Sequence, residues 1–327
     1  KSNKFSINIL KKFIFLKHKL KFNNFLKNKR IKLDKESHSI GVLFYGDHLL
    51  TIASVIINRN NQILVKGVIE VPVPGDVIGN NIIENKKELS NILLDLFNIL
   101  KLENTPLLVV LSSSFFKVNT FFLSELKEIS NTNSKVQSKS PYLPNQTFIE
   151  FLNFSNRSEE QQLVRAVYTN RKLIESWTDT LELTNNSIIG ITPSAPNIFD
   201  ALKIRVNDET TVLIDIEVSK TVVMIGRNST NLTSHNIPYG SSLYISDKEA
   251  NLSINYFQRI FSSIEYIMSE FDEKTPPLIY VFGKGLDDLV KRNITLPNRF
   301  KRLSEMDLVD YSYAPRKMQI HESASKS

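Results

Sequence analysis

The sequence predicts a duplicated α/β protein, and two observations carry that expectation. Three β-rich segments, an amphipathic helix and a short buried strand follow one another near the start of the body, and the same order returns after residue 206. The helical segments repeat apolar residues with a 3.6-residue period. The strand segments are short, rich in β-branched residues and bounded by turn formers.

The first meander is "SIGVLFYGDHLLTIASVIINRNNQILVKGVIEVPVP", with strands expected around 40–45, 49–57 and 62–71. Gly46-Asp47 and Asn58–Asn61 supply the turns, and Pro72 and Pro74 stop the third strand. Leu89, Leu93, Leu96 and Leu100 then line one face of a helix. "LLVVLSSS" after Pro106 reads as a buried strand. A polar stretch around 129–146 precedes a strand pair, "TFIEFLNF" and "QQLVRAVYT". "RKLIESWTDTLEL" is a helix, "SIIGIT" a strand, and "SAPNIFDALKI" a helix that Ser194 is placed to cap. The second meander runs over Val212–Ile216, Thr221–Gly226 and Asn231–Pro238. A long helix over about 248–273 follows, then "PLIYVFGKGLDDLV" as strand, glycine turn and helix.

The chain has 327 residues, enough for two ordinary domains. It has no cysteine, which excludes disulfides, thiolate metal sites and cysteine nucleophiles. Its five histidines are scattered without metal-ligand spacing, so no metal site is expected. Charge is uneven. Residues 1–35 hold twelve Lys/Arg and one acid, a local +11, while the whole chain is +7, so the remainder carries −4. Ile9, Phe13, Leu16 and Leu20 make one apolar helical stripe in this arm, flanked by Lys11, Lys12 and Lys19. Its apolar runs are about four residues long, against roughly 20 for a bilayer span. Three readings stand: a solvated tail, a basic amphipathic helix on anionic lipid with Lys11, Lys12 and Lys19 at the surface, or a nucleic-acid contact. No base-reading motif accompanies the charge, so nucleic acid is not the expected partner.

Several stretches together resemble the actin-like ATPase superfamily, and within it the PilM class of type IV pilus assembly proteins, related to the division protein FtsA. They are "VPVPGDVIGNNIIENKKELSNILLDLF", "LLVVLSSSFFKVNTFFL", "LVRAVYTNRKLIESWTDTLELTNNSIIGITPSAPNIFDAL" and "TVLIDIEVSKTVVMIGRNSTNLTSHNIPYG". Their order and spacing, over roughly 39–290, carry the likeness. It implies a duplicated actin-like (ribonuclease-H-like) fold. Residues 1–38 would be a basic arm and 39–205 a first half with an inserted small subdomain at about 76–180. Residues 206–305 would be the second half and 306–327 a tail.

In that superfamily ATP sits between the halves. Two glycine-containing turns wrap its phosphates with backbone N–H groups, and carboxylates hold Mg²⁺ through water. The first-turn pattern, aligned on Gly41, places Leu43 at the aspartate and Tyr45 at the glycine. In the second, Asp215 is kept and Glu217 replaces the glycine. The adenine-side glycine run is reduced to Gly283-Lys284-Gly285, and the subdomain that covers the nucleotide is reduced to a short link after Gly240. Asp215, Ser219, Gly240, Gly283 and Gly285 are then what remains of a nucleotide cleft, and neither ATP nor Mg²⁺ is expected as a cofactor. The bland readings stand beside these: Asp215 as a turn residue, Gly283 and Gly285 as a strand–helix corner, Ser112–Ser114 as no part of a triad, and Phe257, Phe261, Ile264, Ile267 and Met268 as core.

Without catalysis, the resemblance implies a scaffold at the cytoplasmic face of the inner membrane. It would bind the cytoplasmic peptide of a PilN-like membrane protein, with Leu111, Phe115, Phe116 and Val118 as candidate lining residues and core packing as the competing fate of each. An ATP-binding actin-like protein and a nucleic-acid-associated protein are the alternatives. For the arm, removal of residues 1–35 is expected to weaken co-sedimentation with anionic vesicles. Each basic residue near such a surface contributes on the order of 1 kcal/mol, less at high salt. Equal sedimentation with and without the arm would mark it as a solvated tail.

Overall fold

The computed structural model describes residues 37–58, 63–79, 82–122, 136–153, 163–201, 210–227, 231–244, 251–269, 278–291 and 295–303. The basic arm, with Lys11, Lys12 and Lys19, lies outside them. The chain divides into two compact units, 1–115 with 169–203 and 305–327, and 116–168 with 204–304.

The first unit opens with the expected meander. Strands β1 (Ser37–Gly46), β2 (Leu49–Asn58) and β3 (Ile63–Pro72) pair antiparallel. A two-residue turn at Asp47-His48 joins the first two, with φ of 51° and 58°. Both residues being left-handed is the geometry whose twist matches a β-hairpin. A short hairpin, β4 (Ile78–Gly79) and β5 (Ile82–Ile83), leads to helix α1 (Lys86–Leu100). Asn85 caps this helix: its Oδ1 accepts from Glu88 N–H at 3.2 Å, and its Nδ2 donates to Glu88 Oε2 at 2.7 Å. Strands β6 (Leu107–Leu111) and β10 (Ile188–Pro193) then add parallel to β1, giving the order β10-β6-β1-β2-β3.

Helix α2 (Arg171–Glu182) shares the side of α1 and packs on it. Strand alternation divides the core accordingly. Ile40, Val42, Ala53, Val55 and Val110 gather on one face. Leu43, Tyr45 and Ile52, the alternate residues, are buried on the other. There the Tyr45 ring lies 5.4 Å from Trp177 of α2 and 6.0 Å from Phe115.

The second unit repeats the plan. Strands β11 (Thr210–Ile216), β12 (Thr221–Arg227) and β13 (Asn231–Ile237) form the meander. Helix α4 (Asn251–Ser269) follows. Then come β14 (Leu278–Phe282), helix α5 (Lys284–Lys291) and β15 (Phe300–Arg302), with both strands parallel to β11. The order β13-β12-β11-β14-β15 matches that of the first unit position for position. Val212, Ile214 and Ile216 point together into the core under α4, with Phe257, Ile264, Ile267 and Met268, as alternation and helical spacing anticipate; Phe261 is partly buried beside them. Only residues 238–250 separate β13 from α4, too few for a helical covering subdomain.

Between β6 and α2 lies a separate three-stranded sheet of β7 (Phe116–Phe122), β9 (Leu163–Asn170) and β8 (Thr147–Asn153), in the order β7-β9-β8. Its core holds Phe121, Val136, Val164, Ala166 and Tyr168. The inserted sheet therefore occupies 116–170, while α1, which falls within the 76–180 span, packs on β2 and β3. Helix α3 (Ser194–Ala201) follows β10. Its first-turn Ala195 N–H is taken by the Ser113 hydroxyl, and Ser194 Oγ instead accepts from Ser113 N–H at 3.1 Å, so the cap comes from across the fold. Among the described residues no helix is long and apolar enough to cross a membrane.

Trp177 is the chain's one tryptophan and is fully buried, so its emission reports the first unit. Tyr45→Ala should lower stability by about 3 kcal/mol, the usual cost of deleting a buried aromatic ring, while Tyr45→Phe retains most of it. Urea unfolding followed at Trp177 measures both.

Candidate functional site

The phosphate-side turn of the second unit is a four-residue loop between β11 and β12. Glu217 N–H closes it by donating to Lys220 O at 2.9 Å. Asp215 sits one residue before the end of β11, paired across to Val222 and, in parallel, to Phe282. Asp215 and Glu217 are both buried, at 6% and 7% exposure. Ser219, at the tip, is exposed.

The outer carbonyls of this turn are already occupied. Glu217 O accepts from Ser241 N–H at 3.0 Å, and Val218 O accepts from Ser242 N–H at 2.8 Å. Gly240, just before this pair, lies so close that a Cβ there would stand 2.6 Å from Lys220 N and Val218 O, and closer still to Glu217 O. Gly285 meets the same carbonyl: its Cβ would lie 2.7 Å from the Glu217 carbonyl carbon and 2.8 Å from Ser241 Oγ. Gly283 has φ +111°, a conformation open to glycine, and a Cβ there would collide with the Ile216 backbone and the Asp215 carboxylate. Thus Asp215, Gly240, Gly283 and Gly285, read from the sequence as remnants of a cleft, do converge. What they converge on is the backbone of the turn itself. Ser219, at the tip, is the exposed member of the set.

Nothing in the sequence marks Ser241 and Ser242 beyond their place after "IPYG". Their contribution is main-chain N–H, which any non-proline residue supplies, so composition could not single them out. Ser241 Oγ is buried with no hydrogen-bond partner.

The corresponding place in the first unit is different. Leu43 and Tyr45, expected within the turn, lie inside β1, fully buried and at 2% exposure. The strand runs on to Gly46, held by β2 on one side and by β6 as far as the Tyr45–Leu111 pair on the other. The alignment on Gly41 therefore set the turn too early; it falls at Asp47-His48. Burial, helped by the nearby Asp47 charge, pushes the Tyr45 hydroxyl up to about 12.

The serines after β6, Ser112–Ser114, are buried. Ser112 and Ser114 hydroxyls lie 2.7 Å apart, and those of Ser113 and Ser194 lie 2.8 Å apart. They join the end of β6 to α3, with no histidine or acid among these bonds. Leu111, Phe115, Phe116 and Val118 are all buried, at 0%, 6%, 4% and 1% exposure, the first two in one unit and the last two in the other. No cluster of three or more His, Asp or Glu side chains suited to a metal occurs among the described residues.

No family model matches the chain, and no curated protein matches it. Solved structures do. The PilM–PilN type IV pilus biogenesis complex aligns with 83% of this chain and 88% of its own, at 12% identity and a TM-score of 0.55. A Bacteroides thetaiotaomicron protein with an actin-like ATPase fold and unknown function covers 84% and 93%, at 9% identity and a TM-score of 0.47. The cytoplasmic domain of EpsL, an inner-membrane component of the type II secretion system of Vibrio cholerae, covers 84% and 88%, at 10% identity and a TM-score of 0.43. The chain has the duplicated actin-like fold, similar to that of the pilus complex.

If the glycines serve packing against the turn, they matter with no ligand present. Gly240→Ala should destabilise the unliganded chain by about 2 kcal/mol or more, because the Cβ meets backbone that cannot swing aside. Gly75→Ala, where a Cβ would meet nothing within 4 Å, is the control and should change little. Urea midpoints of the two variants decide it.

Proposed function

We propose that this chain is a non-catalytic, actin-like scaffold of a type IV pilus or related secretion machine, seated at the cytoplasmic face of the inner membrane. In this reading it holds the cytoplasmic peptide of a PilN-like membrane protein, with the basic arm at an anionic surface. The observation that carries the proposal is the closed turn at Glu217–Lys220. A phosphate-binding turn must offer unengaged N–H groups and room for the anion. Here the Glu217 N–H is spent within the turn and the glycines are pressed against its carbonyls.

Charge weighs the same way. A carboxylate at 4 Å from a phosphate charge costs about 4 kcal/mol at an effective dielectric of 20, and Glu217 replaces the glycine of the pattern. The first turn supports the reading as well. Its two residues join strands paired right up to Gly46–Leu49, which leaves no loop to wrap a phosphate. The peptide partner is supported by the fold it shares with a protein solved in complex with PilN.

Calorimetric titration of the purified chain with ATP, with and without Mg²⁺, tests the proposal. No binding in the micromolar range is expected in either case. A Mg²⁺-dependent isotherm would overturn it in favour of an ATP-binding actin-like protein.

A further inference from the structure

The five-stranded sheet of the first unit has two apolar faces, and the described helices account for one of them. Helix α1 packs on β2 and β3, and α2 brings Trp177 to Tyr45, both on the side of Leu43, Tyr45 and Ile52. The other face draws on all five strands, with Val42, Ala53, Val55, Val65, Val110 and Ile189 buried in one cluster. Ala53 and Val110 are fully buried, and Val65 is 2% exposed. Side chains that stand up from a sheet do not bury one another from above, so a further piece of chain lies over them. In the second unit the face with Val212, Ile214 and Ile216 is as deeply buried, and there α4 and α5 supply the cover. In the first, no helix among the described residues belongs to the cluster.

Two stretches outside the described residues are long enough to serve, the arm at 1–35 and residues 305–327, and both group with the first unit. Composition favours the arm. Fourteen of its 35 residues are apolar, five of them phenylalanine, which is close to the 41% of the whole chain. A segment that stays solvated is poor in both. Charge favours it too. The arm carries +11 against −4 on the remainder, whereas residues 305–327 open with Glu305, Asp307 and Asp310, which that remainder repels. The arm also joins β1 directly, so one reversal before Ser37 lays it along the strand. The lengths agree: as a helix the Ile9–Leu20 stripe spans about 16 Å, and Ile40–Phe44 along β1 spans about 13 Å.

We propose that the arm is the cover of this sheet face, with Ile9, Phe13, Leu16 and Leu20 seated over Val42, Val55 and Val110. Lys11, some 200° around the same helix from Ile9, then faces solvent at about 100° per residue. The arm is thereby part of the first unit's core on one side and a basic surface on the other. This goes beyond the scaffold reading and does not rest on it, since the face needs cover whether or not nucleotide binds.

The absence of cysteine makes the test direct. Val55→Cys places a single thiol on this face, and Val109→Cys places one on the opposite, helix-covered face; both positions are buried. Phe13→Gln with Leu16→Gln breaks the stripe without shortening the chain. Lys11→Gln with His18→Gln alters the far side of the same helical pattern. Breaking the stripe should speed reaction of Val55→Cys with a thiol reagent at least about tenfold under native conditions and leave Val109→Cys unchanged. The far-side pair should change neither rate. Trp177 emission verifies that each variant is folded. No acceleration, equal acceleration at the two thiols, or acceleration by the far-side pair would overturn the proposal. So would the same acceleration from Met306→Gln with Val309→Gln, which would make residues 305–327 the cover.

Discussion

Close approach of main chain to main chain around the Glu217–Lys220 turn organises the second unit. Three segments distant in sequence meet there: the end of the first hairpin, the link from β13 to α4, and the corner between β14 and α5. Each contributes a glycine or an N–H because no side chain fits between them. Thr221, at the start of β12, extends the arrangement into the core. Its Oγ1 donates to Tyr239 O at 2.9 Å and, having a single hydrogen, accepts from Tyr256 OH at 2.8 Å. That bond fixes the first described turn of α4 over the sheet. Burial raises the Tyr256 pKa and keeps it a donor. The glycines here let three pieces of backbone approach one another closely.

The two units share strand order but not this device. In the first, the equivalent hairpin turns in two residues and the space is filled from the side by aromatic rings. Tyr45 interlocks with Trp177 and Phe115, and Ser113 anchors α3 to the end of β6. One plan is thus stabilised in two ways, by main-chain hydrogen bonds in the second unit and by ring packing in the first.

Much of the fold was legible because it depends on local periodicity. The meanders, the helices α1, α2, α4 and α5, and the inward set Val212, Ile214 and Ile216 follow from alternation, helical spacing and turn residues, which act within a few positions of one another. Strand β7 was not legible. "FFKVNTFF" alternates only weakly, and its partner β9 is more than forty residues away. The first turn was misplaced for a related reason. A motif aligned on Gly41 ignores how far pairing continues, and pairing of β1 with both β2 and β6 carries the strand to Gly46.

At the candidate site the residue types were readable and their purpose was not. By itself the sequence determined the duplicated α/β plan, the lack of thiol chemistry, the concentration of positive charge in the arm, and which glycines and acids cluster near the second turn. Only the tertiary structure decided that Gly240, Gly283 and Gly285 face backbone and that Ser112–Ser114 are buried. The reason is physical. A glycine makes close approach possible without specifying what approaches, and a hydroxyl or main-chain N–H acquires its partner only when the chain has folded.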